Sequence, residues 1–335
     1  MTLPTRQIGP FTVSAIGLGC MNLSHAYGTR PSDEEGAALL NRALDLGITM
    51  LDTAALYGMG ANERLVGSAV MHRRAEFTLA SKCVLDAIDG KRVLDGRPES
   101  IRRTLDGALA RLGTDHIDLY YIHRLDRKVP VEESIGELKR AVEAGKIGAI
   151  GLSEMGAATI RRAHAVHPIA AVQSEYSPIV RNPEVAVLDT CRALGIGFVA
   201  FSPVARGMLA RGVSDDGYQA GDIRLAMPRF LGDNLRHNLA VVAKFDALAV
   251  DAGMTSAQLA LGWVLARGDH IVAIPGTRSI AHLEENLGAA SLSVSADLVQ
   301  AVDDVFEGNI RGARYTAPMQ AQIDTEILPG EKLAD

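Results

Sequence analysis

Cysteine is scarce: Cys20, Cys83 and Cys191 are the three in the chain, and no two form a CxxC pair. That spacing argues against a disulfide framework or a zinc site and suits a reducing compartment. Basic charge is not in excess, with 34 Lys and Arg against 40 Asp and Glu, and the cations are scattered. A nucleic-acid groove leaves a basic footprint, and none is visible. No apolar run approaches the roughly 20 residues of a membrane span. The opening MTLPTRQIGPF lacks the apolar core of a signal peptide. These absences predict a cytoplasmic protein with no metal and no nucleic-acid or membrane partner. There is also no Ser/Gly linker, low-complexity tract or composition shift, so residues 1–335 read as one domain. A GxGxxG motif after a strand is missing too. GLGC lacks the third glycine, and GKIGAIG has its glycines at the wrong spacing and precedes a strand. That weakens a doubly wound nucleotide-binding sheet.

What is present is 47% hydrophobic residues, ample for one large core. Short apolar runs read as strands: SAIGLGC (14–20), ITMLDT (48–53), FTLASK (77–82) and IDLYYIH (117–123). IGAIGLS (147–153), IAAVQS (169–174), GIGFVAFS (195–202) and IVAIPG (271–276) complete the set. Amphipathic stretches alternate with them. PESIRRTLDGALARLG opens with proline and closes on Gly113, good helix punctuation. LRHNLAVVAKFDALAVDAG and TSAQLALGWVLARG read as two helices in one connection. Strands apolar on both faces, alternating with helices in roughly eight units, predict an α/β fold: a (β/α)8 TIM barrel. TRQIGPFTVS predicts an N-terminal β-hairpin. Long loops are expected on the C-terminal face. Residues 208–234 are too long for an ordinary connection and read as a lid, and the tail from residue 308 is expected over the site.

In such barrels chemistry sits where strands end. The second strand ends at Asp52 with Tyr57 in its loop, the third at Lys82 and the fourth at His123. Each alone is ordinary: an aspartate caps turns, a tyrosine packs, a lysine ends a strand in solvent, a histidine is structural. Together, on consecutive strands, they make a proton donor. Tyrosine has a reference pKa near 10, and a neighbouring Lys⁺ stabilises the phenolate and is expected to lower it. Asp52 supplies the counter-charge that keeps Lys82 protonated. His123 can hydrogen-bond the same carbonyl oxygen and orient it.

These segments resemble the aldo-keto reductases over nearly the whole chain, on the bacterial and channel-subunit side of the family. The resemblance rests on GLGCM, LDTAALYG, ASK, DLYYIH, GAIGLSE and IPGTRSIAHLEENLGA. It implies NADPH-dependent reduction of an aldehyde or ketone, with Asp52, Tyr57, Lys82 and His123 as the catalytic tetrad. It also implies cofactor residues. Ser153 and Gln173 would hold the nicotinamide carboxamide, and Phe201 would stack on its ring. The stretch Ser202, Val204, Arg206 and Gly207 would cradle the pyrophosphate. Gly276, Thr277 and Arg278 would meet the adenosine 2′-phosphate, and His282, Glu285 and Asn286 the adenosine. One position departs from the family: Glu154 stands where asparagine is usual. An ionised glutamate only accepts hydrogen bonds, so it could receive the amide NH₂ but not serve its oxygen. Met21, Tyr27, Met59 and Arg124 are expected pocket neighbours by position. Arg224 and Arg229 are read as phosphate contacts or as solvated.

The expected partner is a small carbonyl or alcohol, with homo-oligomerisation left open. Two other functions compete: a nicotinamide-binding regulatory subunit with little turnover, and a Schiff-base barrel enzyme using Lys82. A protonated lysine beside Asp52 and Tyr57 is a poor nucleophile, which weighs against the last.

Overall fold

The computed structural model describes residues 3–24, 26–88 and 91–334. A hairpin of β1 (Thr5–Ile8) and β2 (Phe11–Ser14) comes first. Then follow β3 (Leu18–Gly19), β4 (Met50–Asp52) and β5 (Thr78–Cys83), and a second hairpin of β6 (Leu85–Ile88) and β7 (Lys91–Leu94). The remaining strands are β8 (Ile117–Ile122), β9 (Ile147–Ser153), β10 (Ile169–Glu175), β11 (Gly197–Phe201) and β12 (Ile271–Ile274). Eight of them pair in parallel in the order β3-β4-β5-β8-β9-β10-β11-β12. Gly17 N–H donates to Ala273 O at 2.9 Å and Ala273 N–H to Ala15 O at 3.1 Å. These bonds join the last strand to the segment entering the first, and the sheet closes into a (β/α)8 barrel.

The helices are α1 (Asp33–Asp45), α2 (Ala61–Val70), α3 (Pro98–Leu112), α4 (Val131–Glu143), α5 (Ala157–Val166) and α6 (Val187–Leu194). They continue with α7 (Gly232–Asp251), α8 (Ser256–Ala266), α9 (Ile280–Gly288), α10 (Ala296–Phe306) and α11 (Ala317–Gln320). Their ends follow local chemistry. Ser32 with Glu35 and Thr255 with Gln258 form capping boxes that satisfy the first N–H groups of α1 and α8. Gly113, at φ 69°, takes the left-handed turn after α3. No single helix among the described residues is long and apolar enough to cross a membrane.

Strand side chains alternate between faces, and this decides what the barrel holds. Leu51, Leu79, Tyr120, Ile150, Val172 and Phe198 point outward into the core shared with the helices. Met50, Ala80, Leu119, Tyr121, Ala171 and Val199 point inward. The inward cluster also contains Ile8 and Val13 of the first hairpin, which plugs the barrel at the strands' N-terminal ends. A Cβ on Gly197, at the start of β11, would lie 2.4 Å from Ile8 Cδ1, so a side chain there would push the plug out. Two residues beyond the inward set lie Asp52, Lys82, His123, Gln173 and Phe201. Ser153 follows Ala149 and Gly151 on the same face. The alternation that builds the apolar floor thus delivers polar groups to the opposite mouth.

Two features depart from the sequence reading. Five of the eight strands are shorter than the apolar runs, and β3 and β4 begin four and two residues into theirs. The β6–β7 hairpin was not read, although Asp89-Gly90 between two apolar stretches is its usual signal.

The C-terminal tail crosses the mouth as expected and is held there by a buried ionic cluster. Arg314 donates from Nη2 to Glu154 Oε1 at 2.5 Å and from Nε to Glu175 Oε2 at 3.0 Å. Arg206 donates to both oxygens of Glu175 at 3.1 and 2.8 Å, and the Tyr315 hydroxyl to Oε2 at 2.5 Å. Both glutamates and both arginines are buried. Burial alone would raise the pKa of Glu175, but Arg206 and Arg314 outweigh it and hold the carboxyl far below the usual carboxylate range. A carboxyl depressed in the folded state adds stability that is full above its unfolded value, about 4.3, and is lost as pH falls toward the folded one. The wild-type urea midpoint is therefore expected to drop on acidification below about pH 4.3. Arg314→Met, which leaves the buried Glu154 carboxylate without its cation, should cost about 3–5 kcal/mol at pH 7. A variant melting with the wild type would show that the tail is held by other contacts.

Candidate active site

Asp52, Lys82 and Gln173 occupy the barrel axis just below the mouth. Lys82 is fully buried. Its Nζ donates to Asp52 Oδ1, to Thr53 O at 2.8 Å and to Tyr57 Oη at 3.3 Å. An ammonium has three donors and no acceptor, so those contacts use all three, and Tyr57 Oη accepts. The phenol's own hydrogen is then directed away from Lys82. Gln173 Nε2 donates to the other oxygen of Asp52 at 2.7 Å. Burial alone would drive the proton off Lys82, but Asp52 and then Tyr57 more than offset it, and its pKa is raised.

The loop that carries Tyr57 is fixed by Asn62. Asn62 N–H donates to Tyr57 O at 3.2 Å, its amide donates to Cys20 O at 2.8 Å, and Thr53 Oγ1 donates to its Oδ1 at 2.6 Å. The Tyr57 ring meets His123 edge-on, with centroids 5.8 Å apart. His123 is buried, and its Nδ1 has no hydrogen-bond partner among the described residues. Burial first, then Arg124, Lys82 and Arg92, lower its pKa well below the usual value, so it is neutral at physiological pH. One expectation reverses. The Tyr57 pKa is raised, not depressed, because burial exceeds the opposing pull of Lys82. Lys82 limits the rise instead of producing a fall.

Above this group lies a cavity of about 320 Å³ that runs from Tyr57 and His123 to Arg278 and Asn286. Asp52, Tyr57, His123, Ser153, Gln173, Phe201, Ser202, Val204, Arg206 and Gly207 line it, as do Gly276, Thr277, Arg278, His282, Glu285 and Asn286. Met21, Tyr27 and Arg124 line it as well. Lys82 lies beneath the lining and acts on the cavity through Tyr57. Along one wall Ser202, Ala205 and Arg206 all have positive φ, at 49°, 50° and 56°. Such conformations are costly for residues other than glycine. A left-handed residue following Val204 aims successive N–H groups to one side, an anion-binding concavity. Arg278 is exposed just before α9, donates from Nη1 to Thr29 O, and has no carboxylate partner among the described residues. An elongated cleft with polar groups at its floor, a strained anion cradle along one wall and an unpaired cation at one end fits a dinucleotide carrying an extra phosphate. The orphaned His123 Nδ1 marks polar capacity at the other end.

Two residues expected at the site are elsewhere. Glu154 is fully buried off the cavity. Its carboxylate accepts from Glu175 N–H at 2.7 Å, Thr325 Oγ1 at 3.2 Å and Arg314, and it does not line the cavity where an amide would sit. Met59 is 67% exposed and off the cavity, at φ 53° in the turn before α2. Arg224 is neither solvated nor unpaired, because Asp222 grips it at 2.9 and 2.8 Å inside the lid. Arg229 is buried, and burial pulls its pKa down to about 10. Residues the sequence reading passed over also face the cavity: Arg92 from the unread hairpin, Leu56, Ile223 of the lid, and Tyr315 and Met319 of the tail. Leu56 stands beside Tyr57 within LDTAALYG, and Ile223, Tyr315 and Met319 lie in the stretches expected over the site, where only packing shows which side chains reach the cavity.

Comparison with known proteins places the chain in a family. Residues 15–307 match the model of the aldo/keto reductase family. The fission yeast Schizosaccharomyces pombe protein named aldo-keto reductase yakc [NADP(+)] is 43% identical over 98% of this chain and all of its own length. Probable aldo-keto reductase 1 of Glycine max is 42% identical over 91% of this chain and 89% of its own. Among solved structures, the glycerol dehydrogenase AKR11B4 from Gluconobacter oxydans superposes with a TM-score of 0.83 at 27% identity, covering 98% of each chain. The aldo-keto reductase AKR11C1 from Bacillus halodurans, in its holo form, gives 0.77 at 27% identity over 94% of this chain and 99% of its own. With the family match spanning most of the chain and the barrel and its mouth arranged as described, this protein belongs to the aldo/keto reductase family.

Proposed function

We propose that this oxidoreductase uses NADPH to reduce an aldehyde or ketone to an alcohol, with Tyr57 giving the proton. The observation that carries the reading is the contact of Lys82 Nζ with both Asp52 and Tyr57 Oη on the cavity floor. When bound, the nicotinamide supplies a hydride to the carbonyl carbon. Tyr57 Oη and the neutral His123 address the carbonyl oxygen. As that oxygen gains charge it takes the phenol proton, and Lys82⁺ stabilises the phenolate left behind. Asp52 keeps Lys82 charged, and Gln173 keeps Asp52 in place. Ser153 and Gln173 would hold the carboxamide, Phe201 the nicotinamide face, and residues 202–207 the pyrophosphate. His282, Glu285 and Asn286 would hold the adenosine, and Arg278 its 2′-phosphate. A Schiff base at Lys82 is disfavoured, because its nitrogen is buried, triply engaged and protonated.

Tyr57→Phe keeps the ring and removes the proton. With 4-nitrobenzaldehyde and NADPH, kcat should fall about 10²–10⁴-fold, while NADPH binding followed by protein fluorescence stays near wild type. Near-normal kcat in the variant would exclude Tyr57 as the acid. No turnover by the wild type with any aldehyde or ketone would favour a binding role instead.

The raised Tyr57 pKa sets a pH dependence. The proton is held through the neutral range, so kcat/KM for reduction should stay level to about pH 10, and alcohol oxidation should climb over that range. Lys82→Met removes the one strong opposing charge and should lower reduction about 100-fold or more, with the alkaline limb displaced further upward. An unchanged profile in that variant would assign the tuning to another group.

Cofactor choice follows from Arg278. A guanidinium–phosphate contact is worth about 1.5–3 kcal/mol in favourable geometry, so NADPH should exceed NADH in kcat/KM by roughly 10- to 150-fold. Arg278→Ala should lose most of that margin while NADH kinetics barely move. Equal efficiencies in the wild type, or equal losses for both cofactors in the variant, would remove Arg278 from this role.

A further inference from the structure

Most cations along the cavity have an acid of their own. Lys82 is matched by Asp52, Arg224 by Asp222, and the pair Arg206 and Arg314 by Glu175 and Glu154. Three remain. Arg278, at the far end, has its role in the reading above. The other two, Arg92 and Arg124, line the cavity at its catalytic end.

Arg124 follows His123 directly. It donates from Nη1 to His123 O at 2.6 Å and to Ser153 Oγ at 3.2 Å. These neutral acceptors fix the guanidinium without cancelling its charge. Arg92 comes from the β6–β7 hairpin and reaches the cavity from its outer edge. Among the described residues, no carboxylate pairs with either side chain. The two cations feel each other: withdrawal from water, then the charge of Arg124, lowers the pKa of Arg92. The charge of Arg124 also weighs on Tyr57, and both charges weigh on His123. Two like charges held at one end of a partly enclosed cavity repel each other, and a bound anion relieves that repulsion.

Position separates this pair from the cofactor's anions. Arg92 and Arg124 follow the strands that supply Lys82 and His123, whereas the strained cradle and Arg278 belong to the segments after β11 and β12. Met21, Leu56 and Met319 add apolar wall to the same cavity. A substrate bound there would present its carbonyl to Tyr57 and His123 and any charge it carried to the arginines.

We propose that the substrates of this enzyme are carbonyl compounds carrying an anionic group, received by Arg92 and Arg124 at the cavity mouth. The inference rests on the carbonyl reduction proposed above and adds the substrate's charge. Guanidinium–anion hydrogen bonds are shorter and stronger than neutral ones, and a fork of two fixes orientation as well as affinity. The anion would thus set the approach of the carbonyl as well as its binding.

The test compares two aldehydes of nearly the same shape with NADPH: 4-carboxybenzaldehyde and its methyl ester, methyl 4-formylbenzoate. The wild type should favour the acid in kcat/KM by about tenfold or more, chiefly through KM, and the preference should shrink as ionic strength rises. Arg92→Gln should bring the ratio of acid to ester close to one. Arg92→Glu, which reverses the charge at the same place, should invert it. Arg124→Gln provides the second arm and should also lower the ratio. A wild type that reduces the ester as well as the acid, or a ratio untouched by either Arg92 variant, would overturn the anion site while leaving carbonyl reduction standing. Failure to reduce either aldehyde, or any uncharged carbonyl beside them, would overturn both readings.

Discussion

Everything at the mouth of this barrel depends on one ion pair placed where water cannot reach it. Removing an ammonium and a carboxylate from water costs several kcal/mol for each ion, and attraction offsets that only in good geometry with the remaining valences filled. Both conditions hold here. Asp52 uses one oxygen for Lys82 and the other for Gln173, and Lys82 spends its other two donors on Thr53 O and Tyr57 Oη. The backbone arrangement is equally demanding. Asp52 and Lys82 point inward only because each lies two residues beyond an apolar inward residue, Met50 and Ala80, on adjacent parallel strands. Shifting either strand by one residue would turn its charge into the helix layer.

The pair also governs the tyrosine, through opposing influences. Enclosure makes a phenolate expensive, whereas Lys82 makes it cheaper, and enclosure is the larger. An acid that holds its proton firmly at rest and is helped to release it as a negative charge builds on a nearby oxygen suits reduction. The same arrangement keeps His123 uncharged, so that it can orient an oxygen without competing to protonate it. Tyr57 and His123 thus differ in which charge burial excludes, the phenolate in one and the imidazolium in the other.

Legibility from the sequence followed the range of the forces involved. The barrel, the first hairpin, the two-helix connection and the four residues that meet at the mouth were readable, because strand period and strand end are local properties. LDTAALYG carries its aspartate and tyrosine within one turn of chain, and Lys82 and His123 each close an apolar run. Side chains recruited by distant packing were not readable. Tyr315 and Met319 reach the cavity because a buried cluster pins the tail, and Arg92 because a hairpin turns back over the rim. The direction of the Tyr57 shift was misjudged for the same reason: a neighbouring lysine is visible in sequence, but the enclosure that outweighs it is a property of the whole mouth. Met59 lay close to Tyr57 in sequence, yet the left-handed turn at that residue sends its side chain into solvent.

Glu154 joins these scales. Its place directly after Ser153 suggested a hand in holding the nicotinamide, but its backbone is left-handed, at φ 53°, and its side chain is carried away from the cavity. Each of its groups is used for assembly. Its N–H donates to Gln173 O at 2.9 Å, its carbonyl accepts from Asp324 N–H at 3.0 Å, and its carboxylate takes Arg314 and Thr325. Residue 154 is thus the point where two separate stretches of the tail fasten to the end of β9. Asparagine lacks the charge to match Arg314, which would then be left to Glu175, already engaged by Arg206. A carboxylate at this position gives Arg314 a partner of its own, as Glu175 serves Arg206. Pairing each of these arginines lets so much charge lie buried beside the pocket, with Arg229 buried close enough to feel both Glu175 and Arg314.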